Sequence, residues 1–192
     1  MEVLAMTDQT PAAAGKISRT QQLTLMGLMT AAICIAAPFS IPVPVSPVPL
    51  TLSNLVIYMA VYILGMKLAT VSCVTYLILG AVGLPIFSSF SGGLGKLAGP
   101  TGGYLVGFIF LALIQGFLMK SRPGSSLAAV AGMILGTAVC YIFGTVWLGV
   151  QSGLPFSAAL SAGVIPYLPG DTVKIIAAAV LGPKLQAAVK RV

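Results

Sequence analysis

The chain has 192 residues, of which 58% are hydrophobic and 7% charged, with a formal net charge of +7. A soluble domain carries about a quarter charged residues, so this composition excludes a water-solvated surface and implies an integral membrane protein. The basic residues sit between apolar runs, without a patch or aromatic interleaving, which argues for membrane topology and against nucleic-acid binding.

The length suits one domain of about six apolar spans with short connections. The apolar runs are long and do not alternate with period two, which favours helices over a barrel. The expected architecture is therefore all-α, with six transmembrane helices. Residues 1–22 form a short polar tail, and 23–192 form a single six-helix domain. Cys34, Cys73 and Cys140 lie inside apolar segments, and the chain has no histidine. Neither a zinc site nor a Cys-His nucleophile is available, so the cysteines read as small core residues. No secretory signal with a cleavage site is expected.

The first span runs from about Leu23 to Ser40. Small residues recur in it at helical spacing, Gly27 with Ala31 and Ala32 with Ala36, so another helix backbone can approach closely. That helix belongs either to this chain or to a partner. Residues 41–49 follow, with four prolines in positions 42–49. Each removes a donor and fixes φ, so the segment is extended, stiff and apolar, a cover lying over the protein. A second span covers Leu50 to Leu64 and contains Ser53 and Asn54, which suit hydrogen bonds between helices. Lys67 marks a tight turn, and a third span runs from Leu68 to about Ile86.

Beyond it, residues 87–104 read FSSFSGGLGKLAGPTGGY, with six glycines between 92 and 103. Such backbone leaves N–H and C=O groups open to a ligand, although a plain long loop has the same composition. It lacks the phosphate-loop pattern. The fourth span runs from Tyr104 to Met119, and a basic turn follows at Lys120 and Arg122. The fifth span covers Ser126 to Val150 and carries Tyr141 and Trp147, either interfacial anchors or pocket walls. Residues 151–168 are punctuated by glycine and proline. The sixth span starts near Pro169, a good first-turn residue, and ends at Leu181-Gly182-Pro183.

Six spans put both termini on one side. That side collects Lys16, Arg19, Lys67, Lys120, Arg122, Lys184, Lys190 and Arg191, against Lys96 alone on the other. The asymmetry assigns both termini to the cytoplasm. The proline run, the glycine-rich loop and residues 151–168 then share the outer face.

Under those loops lies the stretch YLPGDTVK, 167–174. Asp171 is the only carboxylate side chain after Asp8, and Lys174 stands one helical turn beyond it. Ionisable groups inside a membrane are expensive and point to a functional site; a neutralising pair that merely orients the helix is the plainer alternative. Lys174 lies ten residues, or about 15 Å of helix, from Lys184, so the pair sits in the middle or outer half of the membrane. With Phe87, Phe90, Tyr104, Tyr141 and Trp147 as walls, the pocket suits a small ligand with an apolar body and a polar end. The chain has no nucleotide-binding loop and only one carboxylate to relay protons, so energy for transport would come from partner proteins.

The segments VPVSPVPLTL (43–52), YLILGAVGLPIF (76–87), GGLGKLAGPTGGYLVGF (92–108) and YLPGDTVK (167–174) together resemble the biotin-specific substrate-binding subunits of energy-coupling factor transporters, the BioY family. The likeness covers nearly all of the chain from Leu23. It implies a six-helix, multi-pass plasma-membrane protein that captures biotin from outside. It also implies a transmembrane coupling protein and two ATPase subunits as partners, with Gly27, Ala31, Ala32 and Ala36 as the docking face. Biotin is then cargo, and no cofactor is implied. The ligand-binding set read from residues and resemblance together is Asp171, Lys174, Phe87, Ser88, Ser89, Gly92, Gly93, Pro100, Thr101, Gly102, Tyr104, Tyr141 and Trp147. Ser88 and Ser89 stand where some relatives carry an amide residue. The rival readings are a subunit for another vitamin, an ion-coupled carrier working alone, an intramembrane enzyme and a structural scaffold. The absence of histidine and of an adjacent nucleophile–base arrangement counts against the enzyme.

Overall fold

The computed structural model describes residues 18–44 and 46–189. The expected tail up to residue 17, with Lys16, lies outside the described residues, as do Lys190 and Arg191. The fold is mostly helical, and four helical stretches are long and apolar enough to cross a membrane: Ser53–Ala81, Gly102–Ser121, Ser126–Ser152 and Phe156–Val189.

Helix α1 (Arg19–Ala36) starts four residues before the expected span. The Ser18 hydroxyl accepts the Gln21 N–H at 3.2 Å, and the Gln21 side chain accepts the Ser18 N–H at 2.8 Å. This reciprocal cap satisfies two otherwise orphaned donors. The proline run is bracketed by two short strands, β1 (Ser40–Ile41) and β2 (Leu50–Thr51), paired antiparallel with Ser40 opposite Thr51. The prolines lie between the strands, where no ladder donor is needed, and the pairing returns the chain to its starting point.

Helix α2 (Ser53–Ala81) replaces two expected spans, and it is broken at Gly65 rather than at Lys67. Gly65 has φ 74° and ψ 178°, a region that side-chain-bearing residues avoid. A straight helix would hold Ser53 and Tyr76 roughly 34 Å apart, yet both line one cavity. The run therefore doubles back at Gly65, with arms 53–64 and 66–81. The second arm ends at Ala81, short of the expected Ile86.

The glycine-rich segment is not open loop throughout. It holds a 3-10 turn (Ser88–Phe90) and a short helix α3 (Leu94–Ala98). Helices α4 (Gly102–Ser121) and α5 (Ser126–Ser152) form an antiparallel pair, with Gly124 at φ 78° in the turn between them. A Cβ added to Gly132 would lie 2.8 Å from Gln115 Cα, and one added to Gly107 would lie 2.7 Å from Cys140 Sγ. Small residues thus bring these backbones into contact, which is how helices pack where burial from water provides little drive. Residues 151–168 contain helix α6 (Phe156–Gly163), and α7 (Leu168–Val189) continues through Pro183 instead of stopping there. Proline is tolerated inside helices of this kind where neighbours re-satisfy the freed backbone groups.

The buried core includes Ile33, Ile57, Tyr58, Cys73, Tyr76, Phe87, Leu111 and Met133. Facing outward are Leu23, Ile35, Phe117, Ile142, Val146, Val173, Ile176 and Val180, all exposed. So large an apolar exterior suits hydrocarbon, not water. Gly65→Ala is expected to cost about 1–3 kcal/mol, read as a lowered melting temperature in detergent. Gly27→Ala, where an added methyl meets nothing within 4 Å, should leave that temperature unchanged or raise it.

Candidate functional site

Asp171 and Lys174 occupy successive turns at the start of α7, and each is 7% exposed. Lys174 Nζ donates to Asp171 Oδ1 at 2.7 Å and to the Thr51 carbonyl at 2.6 Å. The Tyr141 hydroxyl, from α5, donates to Asp171 Oδ2 at 2.5 Å. The Lys174–Asp171 contact is the only salt bridge among the described residues. The β1–β2 pairing is what brings Thr51 to the lysine, and Leu50 beside it packs against Gly170. The elements bearing on the pair are thus α5, α7 and the return of the proline run.

The pair forms one wall of a cavity that also receives Tyr104, Thr101 and Ser88. Six of the thirteen ligand-binding candidates therefore meet there: Asp171, Lys174, Tyr141, Tyr104, Thr101 and Ser88. The other seven do not line it. Phe87 is fully buried and stands edge-on to Tyr76 at 5.4 Å, so it props a cavity residue from behind. The Ser89 N–H donates to Ser40 Oγ at 3.0 Å. Gly92 and Gly102 are needed for close packing, since added methyls would strike the carbonyls of Leu84 and Leu97. Gly93 has φ 91° where α3 begins. Pro100 lies in the turn before α4, outside the lining. Trp147 donates from Nε1 to the Gly99 carbonyl at 2.9 Å and so ties the glycine-rich segment to α5. Phe90, also considered as a wall, is exposed and packs edge-on against Phe39.

Several lining residues carried no ligand signal in the sequence. Val48, Pro49, Leu50 and Thr51 of the proline run line the cavity, in keeping with their expected role as a cover. Ser53 and Asn54, read as links between helices, also line it. Tyr76, Tyr167, Thr137 and Cys140 complete its polar wall, and Phe108 and Leu111 its apolar one. Tyr76 OH and Thr101 Oγ1 are buried without a hydrogen-bond partner among the described residues. Buried hydroxyls rarely stay unpaired, so both are available to a ligand. The Tyr104 hydroxyl donates to the Gly163 carbonyl at 3.0 Å, and the Tyr167 hydroxyl donates to the Val48 carbonyl. These bonds fasten α4 to α6 and the proline run to the turn that precedes α7.

Chemically, Asp171 has lone pairs left for N–H donors, and Lys174 has a third proton for an acceptor. The Cys140 thiol is turned to the Tyr104 carbonyl at 3.6 Å. The cluster thus presents an anion, a cation and a hydroxyl to whatever enters the cavity. The small-residue candidates on α1 divide: Gly27 and Ala31 are exposed, whereas Ala32 and Ala36 are half-buried.

Residues 6–191 match the model of the BioY family. A biotin transporter of Thermotoga maritima is 36% identical over 166 residues, covering 86% of this chain and 96% of that protein. A probable biotin transporter of Pyrococcus horikoshii is 34% identical over 88% of this chain and 98% of its own. Among solved structures, the biotin S-component of an ECF-type ABC transporter superposes with a TM-score of 0.81 at 31% identity, covering 90% of this chain and 95% of that one.

Replacing Asp171 or Lys174 singly by alanine leaves the other as an unpaired buried charge, and each is expected to destabilise the fold by about 3–5 kcal/mol. The combined Asp171→Asn, Lys174→Met variant should recover most of that loss, as measured by thermal unfolding in detergent, because no net charge remains buried.

Proposed function

The chain belongs to the BioY family, and we propose that it is the high-affinity biotin-binding subunit of an energy-coupling factor uptake transporter. The observation that carries this reading is the Asp171–Lys174–Tyr141 cluster on the wall of a largely apolar cavity. Biotin has the matching parts: a ureido ring with N–H donors and a carbonyl, an apolar thioether ring and a carboxylate tail. The cluster offers an anion for N–H donors and a cation for an acceptor oxygen. Tyr76, Thr101, Tyr104, Ser88 and Tyr141 supply the remaining polar contacts, with Phe108 and Leu111 against the apolar ring.

The protein is a transport protein and not an enzyme, and biotin is its cargo, so no cofactor takes part. Its six membrane crossings are α1, the two arms of α2 on either side of Gly65, α4, α5 and α7. Lys67, Lys120 and Arg122 gather around one concavity at one end of the molecule, which supports a cytoplasmic placement of that end and of both termini. The cavity then opens outward beneath the proline-rich and glycine-rich covers. A transmembrane coupling protein and two ATPase subunits supply the energy. The coupling protein meets the exposed line Leu23, Gly27, Ala31 and Ile35 of α1, with Ala32 and Ala36 at its edge.

Isothermal titration with biotin of the purified protein and of Asp171→Asn and Lys174→Ala variants tests the site. Tight binding by the unaltered chain is expected, with at least a hundredfold loss in each variant, about 2.7 kcal/mol. Equal binding by all three would place the site elsewhere. A folded protein that binds no biotin but is stabilised by another vitamin would replace the ligand and keep the fold.

A further inference from the structure

At the end of the molecule away from the Asp171 cavity lies a second concavity, between the break in α2, the α4–α5 turn and the last turns of α7. Three cations border it: Lys67 just past the break, Lys120 at the end of α4, and Arg122 in the turn. All three are exposed, and none has an acidic partner among the described residues. The chain has only three acidic side chains, Glu2, Asp8 and Asp171, and the last is held by Lys174 in the other cavity. Behind the cations the lining is apolar, with Val61, Met66 and Met119. The start of α5 opens on the same space through Ser126, so the positive end of a 27-residue helix adds to the field there.

We infer that this concavity binds an anionic phospholipid, its phosphate between Lys67, Lys120 and Arg122 and the upper part of an acyl chain on the Val61–Met66–Met119 lining. Two properties select this occupant. An exterior suited to hydrocarbon surrounds the concavity, so lipid is always present at its edge. The combination of a cationic rim and an apolar lining also matches a molecule with one charged end and one apolar end, and basic pockets between membrane helices favour such headgroups. The inference rests on this concavity alone and is independent of what the other cavity binds.

Native mass spectrometry of the detergent-purified full chain, offered phosphatidylglycerol or phosphatidylcholine with the same acyl chains, tests it. Phosphatidylglycerol should be retained at least tenfold more strongly. Lys67→Gln, Lys120→Gln and Arg122→Gln should each weaken that retention about fivefold. Lys184→Gln, which removes a charge outside the lining, should not. Ser126→Trp keeps every charge but fills the space, and should weaken retention as much as a lost cation. Melting temperatures of the variants check that each is folded. Equal retention of the two lipids would overturn the inference, as would an equal effect of Lys184→Gln or no effect of Ser126→Trp. So would phosphatidylglycerol binding that appears only when residues 1–17 are removed, since the concavity would then belong to Glu2 and Asp8 of the chain's own tail.

Discussion

The buried pair of Asp171 and Lys174 is the constraint that the rest of the fold must satisfy. Removing two charges from water costs several kcal/mol per ion, and mutual attraction offsets this only when further hydrogen bonds satisfy both groups. One turn of helix provides the contact between the two. It cannot provide the rest, since the first turn of α7 has no other polar side chain aimed at them. The rest comes from Tyr141, thirty residues earlier on α5, and from the carbonyl of Thr51 at the end of the proline run. A helix pair and a stiff connection are therefore held in place by the need to solvate one ion pair. That same solvation leaves spare hydrogen-bonding capacity facing a cavity.

Beyond the Lys174–Thr51 contact, the cavity's cover is held by neutral hydrogen bonds. Tyr167 to Val48, Tyr104 to Gly163 and Trp147 to Gly99 each join an aromatic polar tip to a backbone carbonyl far away in sequence. Each such neutral bond contributes about 1 kcal/mol, whereas breaking a buried ion pair costs about 3–5. The proline run is tied in both ways, by Tyr167 to the Val48 carbonyl and by Lys174 to the Thr51 carbonyl. Glycine serves the same end. Gly92 and Gly102 let the glycine-rich segment lie directly on the carbonyls of Leu84 and Leu97, so a segment rich in flexible residues ends up packed, with its Gly99 carbonyl anchored by Trp147 of α5.

What was legible in the sequence follows from what is costly. An acid and a base in an apolar stretch have few acceptable explanations, so Asp171 and Lys174 stood out, and the four prolines of 42–49 excluded a helix and implied a cover. Tyr76, Tyr167 and Cys140 gave no such signal, because a tyrosine or cysteine in an apolar helix packs acceptably on any face. Their position depends on how the helices turn toward one another, and local pattern does not carry that. The reversal in α2 shows the same limit at smaller scale. A charge, Lys67, marked the vicinity, but the bend falls two residues earlier, where the backbone needs a positive φ that only Gly65 adopts without strain. The glycine count of 92–103 is ambiguous in the sequence, since an open loop and close packing share it; in the structure Gly92 and Gly102 lie against the carbonyls of Leu84 and Leu97, whereas Gly93 and Gly95 face open space.

The uneven charge of the chain has one cause seen from two ends. Inside the membrane a cation must be matched, and the single carboxylate beyond the tail is spent doing so at Lys174. At the other end Lys67, Lys120 and Arg122 are exposed and have no acidic partner among the described residues, since an exposed charge gains little from one. The buried pair therefore adds nothing to the net charge of +7, to which the three exposed cations contribute in full.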